Sequence, residues 1–247
     1  MQTLFLDAPY TGKVELSPET LDYLKKKKYQ TVGLYASVQF VNQLDRVREQ
    51  LEKEKMSVIT SKADRTQVIG QLLGCDNYHH SLNLSAAEEK EIDCYLYVGD
   101  GRFHPLALVY SQKDAPKKKE IVGNDPISKS LFLVSADDVK VILAKYRSSL
   151  MKFLTAKTLG VITTIKPGQE QFRPSLALET KYPDKRFYHF IDNVVSFDQL
   201  ENFPFIEVWV NTTCPRVGFD DQEKFVKGVI NLNDALEAEK ILGEERA

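Results

Sequence analysis

A chain of 247 residues, 43% of them hydrophobic, is long enough to bury one large core or two smaller ones. Its formal charge of -2 offers no overall attraction to nucleic acid or to an anionic membrane. No apolar run approaches the roughly 20 residues of a membrane span, the N-terminus MQTLFLDAPYTGK lacks a signal-peptide layout, and three cysteines cannot all pair, which favours a cytoplasmic protein.

Strand and helix patterns alternate along the chain. Residues 31–37 (TVGLYAS) predict a buried strand, followed over 39–55 by an amphipathic helix with Phe40, Val41, Leu44, Val47 and Leu51 on one face. Val58-Ile59-Thr60 predicts a short second strand, and 93–98 (DCYLYV) a third that closes on Gly99-Asp100-Gly101. A second unit is predicted from Ser135, where Ser135 and Asp138 form a capping-box pattern. The helix that follows, about 20 residues long, carries Val139, Ile142, Leu143, Tyr146, Leu150, Phe153 and Leu154 on one face. Then come a strand (159–165), a helix (169–181), a strand (186–191), a short helix (197–200) and a strand (205–210) that runs toward Cys214. The runs 25–28 and 117–119 of lysine read as solvated charge. This order predicts an α/β protein with two Rossmann-like parallel-sheet domains packed together, over 1–134 and 135–247.

Chemistry is expected where strands end, because open α/β sheets bind ligands at their carboxyl edges. Three segments qualify: Gly74-Cys75-Asp76, the stretch from Gly99 to His104-Pro105, and Asn211-Thr-Thr-Cys214-Pro215-Arg216. Pro215 is expected to stop regular structure beyond Cys214. Each feature has a plainer reading. Cys214 alone reads first as a small core residue, Gly-Asp-Gly as a loop turn as readily as a ligand loop, and His104 first as a structural histidine. His79-His80 reads as loop, and Arg216 could pair with Asp220 or Asp221. No HExxH, CxxC, Walker or GxSxG pattern occurs.

Together the segments TVGLYASVQFVNQLDRVREQLE, LGCD, YVGDGRFHPLAL and VNTTCPRVGFDD resemble, in this order, the archaeal diphthamide synthase family. The resemblance covers about residues 30–225. It implies an aminocarboxypropyl transferase that belongs to the radical S-adenosylmethionine enzymes without their closely spaced cysteine motif. Three Rossmann-like domains each give one cysteine to a [4Fe-4S] cluster, whose open iron site takes S-adenosylmethionine. An aminocarboxypropyl radical then adds to a histidine of translation elongation factor 2, the first step of diphthamide biosynthesis. By the same resemblance Cys75 and Cys214 match the cluster ligands of the second and third domains. Gly99, Asp100, Gly101 and His104 match the loop beside S-adenosylmethionine, and Arg216 offers a planar fork to that cofactor's carboxylate.

The family's first domain has no counterpart here, since residues 1–12 resemble its last strand leading into the second. Cys94 does not make up the missing ligand. It precedes the 95–98 strand, which sets it roughly 17 Å from the Gly99 end, so it is expected to be structural. The expectation is a split synthase in which a partner chain supplies the missing domain and third cysteine. The alternatives are a non-catalytic subunit that binds elongation factor or supports electron transfer, and an α/β nucleotide-binding protein without a cluster.

Overall fold

Apolar residues that are buried on both faces of a strand mark the centre of a parallel sheet, and TVGLYA is such a run. In the computed structural model it forms β1 (Thr31–Ala36), flanked in parallel by β2 (Ser57–Ile59) and β3 (Cys94–Val98). The structure describes residues 8–76, 78–101, 104–113, 115, 117–166, 170–220 and 224–243, without the side chains of 79, 219, 220 and 240–243. Residues 1–7, Arg102, Phe103, Gln169 and Asp221, which the sequence reading used, lie outside these. The described chain divides into one unit over residues 1–143 and another over 144–247.

In the first unit α1 (Pro18–Lys27) is set by Ser17, whose Oγ accepts the Thr20 N–H, and by Pro18 in the first turn. Lys25–Lys27 fill its last turn, where cations suit the helix dipole. The amphipathic segment after β1 is a 3-10 turn (Val41–Gln43) and then α2 (Leu44–Lys53). The α-helix thus starts five residues later than its pattern suggests, although Phe40, Val41, Leu44, Val47 and Leu51 are all buried as expected. α3 (Ala86–Glu91) is held by a Ser85/Glu88 capping box, and α4 (Pro105–Tyr110) follows β3. β4 (Ile121–Asp125) adds in parallel to β3, and β5 (Ser130–Val134) folds back antiparallel on β4, giving the order β2-β1-β3-β4-β5. The pattern of buried runs missed this hairpin. Its signal is Asp125, whose Oδ1 accepts the Ile127 and Ser128 N–H groups and turns the chain.

The Ser135/Asp138 cap forms as predicted, with Ser135 Oγ accepting the Asp138 N–H and Asp138 Oδ2 accepting the Ser135 N–H. It starts α5 (Ala136–Thr155), 20 residues long, in which the boundary between the two units falls. β6 (Thr158–Thr164) leads to α6 (Phe172–Ser175) and α7 (Ala177–Lys181), two short pieces where one helix was expected. The Leu176 N–H bonds to Arg173 O, three residues back, and this tightened turn separates them. β7 (Arg186–Asp192), α8 (Phe197–Leu200) and β8 (Val208–Asn211) follow.

The strand before Cys214 is therefore shorter than 205–210 and shifted: Phe205 is 49% exposed and precedes it. Pro215 does not end regular structure. It opens α9 (Pro215–Asp220), because a first-turn residue needs no N–H and favours the proline φ. β9 (Val229–Asn231) and α10 (Leu232–Gly243) complete a parallel sheet of order β7-β6-β8-β9. Both sheets are dominated by parallel pairs, as the α/β reading requires. Among the described residues no helix is long and apolar enough to cross a membrane.

Candidate functional site

In the first unit the site is built at the carboxyl edge of β1 and β3. Ala36 and Gly70 to Leu72 extend β1's edge, with the Ala36 N–H donating to Gly70 O and the Leu72 N–H to Ala36 O, each at 2.8 Å. Gly70 takes φ +80, a conformation that side chains disfavour, and a Cβ there would meet Leu44 at 2.7 Å. The chain then turns through Leu73-Gly74-Cys75-Asp76. Asp76 locks this turn from inside: its Oδ2 accepts the Leu73 N–H at 3.0 Å and its Oδ1 the Arg65 N–H at 3.2 Å. The carboxyl is fully buried, and desolvation raises its pKa against the lowering effect of those two N–H groups. Cys75 rides on the turn and is half-buried.

The loop after β3 meets this turn directly. The Gly74 N–H donates to Nδ1 of His104 at 3.0 Å, so His104 presents Nδ1 as an acceptor. His104 precedes α4, where Pro105 occupies the first turn, and its ring lies 6.4 Å from that of Tyr97. Gly99 is buried and donates its N–H to Asn124 O at 3.0 Å, while Asp100 and Gly101 are exposed. Asn124 is itself fixed by the Ser17 N–H and the Thr20 hydroxyl, both donating to its Oδ1. The structure thus brings Cys75, His104 and the Gly99–Gly101 loop into one neighbourhood.

Cys94 is excluded from it. As the first residue of β3 it sits at the amino end, fully buried, and desolvation first, then the Glu120 and Asp93 carboxylates, push its thiol pKa up. None of the three cysteines forms a disulfide.

In the second unit Cys214 stands between the end of β8 and Pro215, and it is half-buried. Asn211 organises it. The Asn211 Nδ2 donates to Cys214 O at 2.9 Å and to Asn231 Oδ1 at 2.7 Å, and its Oδ1 accepts the Thr213 N–H and hydroxyl. Asn231 Nδ2 donates in turn to Pro215 O at 3.0 Å. A Cβ at Gly218 would reach Asn231 Oδ1 at 2.2 Å, so this amide pair needs glycine on α9. Cys214 opens on a cavity of about 330 Å³ lined also by Thr164, Lys166, Asn193, Thr213 and Phe197, at the carboxyl ends of β6, β7 and β8. Arg216 is buried on α9 two residues beyond Cys214. Of the carboxylates expected to compete for it, Asp221 and the side chain of Asp220 lie outside the described residues.

Sequence reading gives no role to Asn124, to the Asp76 carboxylate within its segment, or to the Asn211–Asn231 pair. Asn211 stands in the Cys214 segment, but nothing local links it to Asn231, twenty positions on. Cys75 and Cys214 are the thiols open to a metal, one in each unit. Among the described residues no three His, Cys, Asp or Glu side chains gather as a ready metal site.

Fold and site define an α/β protein with a half-buried thiol at the carboxyl edge of each of two parallel-dominated sheets. A model of the diphthamide synthesis protein family matches residues 4–247, and the chain belongs to that family. Over 257 aligned positions it is 29% identical to a 2-(3-amino-3-carboxypropyl)histidine synthase of Pyrococcus horikoshii, an alignment covering 99% of this chain and 70% of that protein. It is 25% identical to 2-(3-amino-3-carboxypropyl)histidine synthase subunit 1 of Homo sapiens, covering 83% of this chain and 44% of the human protein. The crystal structure of Dph2 from Pyrococcus horikoshii with a 4Fe-4S cluster superposes with a TM-score of 0.70 at 28% identity, over 94% of this chain and 64% of that one. The chain thus spans less than two thirds of that crystallised relative and under half of the human one.

Proposed function

We propose that this chain acts in the first step of diphthamide biosynthesis, the transfer of an aminocarboxypropyl group from S-adenosylmethionine to a histidine of translation elongation factor 2. The observation that carries the reading is how the fold sorts its three thiols. Cys75 and Cys214 are half-buried beyond the carboxyl ends of their sheets, while Cys94 is sealed at an amino end. Iron-sulfur clusters are held by such thiolates, so Cys75 and Cys214 serve as two ligands of a [4Fe-4S] cluster, and the further ligand comes from outside residues 1–247. Held by Cys75 and Cys214, such a cluster would supply the electron for reductive cleavage of a sulfur–carbon bond of S-adenosylmethionine.

The chain's own groups position the reactants. The exposed Asp100 and Gly101 let backbone approach the cofactor closely, and the His104–Gly74 bond holds the Cys75 turn beside them. Arg216, buried near Cys214, offers its guanidinium to the cofactor's carboxylate.

Anaerobic iron-sulfur reconstitution of the chain, alone and with candidate partner proteins, tests this by absorbance and electron paramagnetic resonance. Cys75→Ala and Cys214→Ala should each abolish the cluster signal, and Cys94→Ala should keep it. Reduction in the presence of S-adenosylmethionine should yield methylthioadenosine. Retained cluster in both site variants would reject the ligand assignment, and deoxyadenosine as product would reject the bond cleavage.

A further inference from the structure

Two hydroxyls at the carboxyl edge of the first sheet are left unsatisfied by the protein itself. Ser37 and Tyr97 are 4% and 0% exposed, yet among the described residues neither Ser37 Oγ nor Tyr97 Oη has a hydrogen-bond partner. Buried hydroxyls are nearly always bonded, because one without a partner has lost its hydration for nothing. Tyr35 shows the usual outcome. It pairs with Tyr97 across β1 and β3, and its hydroxyl meets Ser61 Oγ at 2.7 Å.

Both hydroxyls lie between the Cys75 turn and the Gly99–Gly101 loop. The Ser37 N–H donates to Val98 O at 3.2 Å, and the Leu72 N–H bonds to Ala36 O just before it. Ser37 is thereby set between the end of β3 and the segment that leads into Cys75. Alternate side chains of a strand face opposite ways. Leu34, Ala36, Leu96 and Val98 belong to one hydrophobic core, and Tyr97 takes the other face, its ring 6.4 Å from that of His104. A Cβ on Gly99 would stand 2.6 Å from Tyr97 Oη, so glycine is what lets this hydroxyl reach the edge. Burial raises the pKa of that hydroxyl, the nearby Ser37 hydroxyl lowers it and the Asp100 carboxylate raises it. The three polar groups therefore converge, although the two hydroxyls do not meet in hydrogen-bonding geometry.

We propose that Ser37 and Tyr97 bind the ribose hydroxyls of S-adenosylmethionine and determine specificity at the Cys75 site, a placement that rests on the reaction proposed above. The chemistry selects that part of the molecule. Its carboxylate, ammonium and sulfonium are charged, and a buried charge needs a charged partner, which two hydroxyls are not. The vicinal hydroxyls of ribose are neutral, and each donates and accepts as Ser and Tyr hydroxyls do, so all of them can be satisfied together. Rossmann-type sites also set an acidic residue on a ribose hydroxyl, and Asp100 is exposed at this edge.

Equilibrium binding of 5′-methylthioadenosine to the full chain tests the proposal, because this probe keeps the ribose and carries neither charge nor amino acid. Its 2′,3′-dideoxy analogue lacks the diol. The wild type should bind the first and hold the second roughly tenfold more weakly. Tyr97→Phe and Ser37→Ala should each weaken 5′-methylthioadenosine roughly fivefold or more, and leave the dideoxy analogue within about twofold. Without ligand, Tyr97→Phe should melt no lower than the wild type, since it removes a hydroxyl that has no partner. A wild type indifferent to the diol, variants that bind 5′-methylthioadenosine as well as the wild type does, or a Tyr97→Phe protein that melts well below it would each overturn the proposal. The measurement needs no iron and no reductant. A chain that binds the probe through these hydroxyls but assembles no cluster with any partner would sink the reaction proposed above and leave the nucleoside site standing. Cluster assembly and S-adenosylmethionine cleavage, with probe binding untouched by either variant, would do the reverse.

Discussion

The Gly74 N–H and Nδ1 of His104, thirty residues apart in the chain, meet at 3.0 Å and tie the turn that carries Cys75 to the loop after β3. Gly74 is buried, so the bond has no ready replacement in water. His104→Leu leaves this N–H unsatisfied and should cost about 1–3 kcal/mol of unfolding free energy. His104→Asn, which can offer an amide oxygen near the same place, should recover most of the loss. Urea denaturation of the two variants makes the comparison; equal losses would show that the ring's bulk matters and its acceptor does not.

The cysteines should differ sharply in reactivity. Cys75 and Cys214 are half-buried, whereas Cys94 is fully buried with its thiol pKa pushed up by burial and neighbouring carboxylates. Alkylation of the native chain at about pH 8, mapped by mass spectrometry, should label Cys75 and Cys214 and spare Cys94 until denaturant is added. Early labelling of Cys94 would contradict its placement.

Asp76 should make stability depend on pH in an unusual direction for a carboxylate. Its folded pKa lies above the ordinary 3.8, because burial outweighs the N–H groups of Leu73 and Arg65. The native state therefore holds this proton more tightly than the unfolded chain. The contribution is fully present below the unfolded pKa and is lost as pH rises through the folded one. Asp76→Asn cannot titrate and orphans one of the two N–H groups, so it should be less stable by a constant offset. On top of that offset, the wild-type advantage should shrink between acid and neutral pH. Chemical denaturation of both proteins across that range measures it, and an advantage that grows with pH would refute the assignment.

Gly160 and Gly101 should differ in how much a methyl group costs them. A Cβ on Gly160 would stand 2.2 Å from the ring of Trp209, its cross-strand partner, which is itself almost fully buried. Gly160→Ala should cost about 3 kcal/mol or more, at the upper end for overpacked cores. Gly101 has φ +64 but open space around it, so Gly101→Ala should cost only the conformational penalty of about 1–2 kcal/mol. Thermal melts of the two variants rank them, and the reverse order would show that Trp209 can yield.

Much of the fold was legible locally. The buried runs of β1, β3 and β6 and the Ser135 cap appear where their patterns put them, because burial period and capping chemistry are properties of neighbouring residues. The errors fell where the local signal had two outcomes. Pro215 can end a helix or begin one, and the chain's entry into α9 decided for the second. Phe205 extends the apolar run before β8, yet it stays outside the strand beside Tyr188.

By itself the sequence determined the α/β alternation, the cysteine-bearing segments and their order, and through these the family. Tertiary structure alone decided that His104 braces the Cys75 turn, that Asn211 and Asn231 hold Cys214, and that β7 ends as an edge strand. The physical reason is range. Periodicity and caps act within a few residues, whereas burial, a hydrogen bond across thirty positions and the identity of an edge strand arise only when distant segments pack.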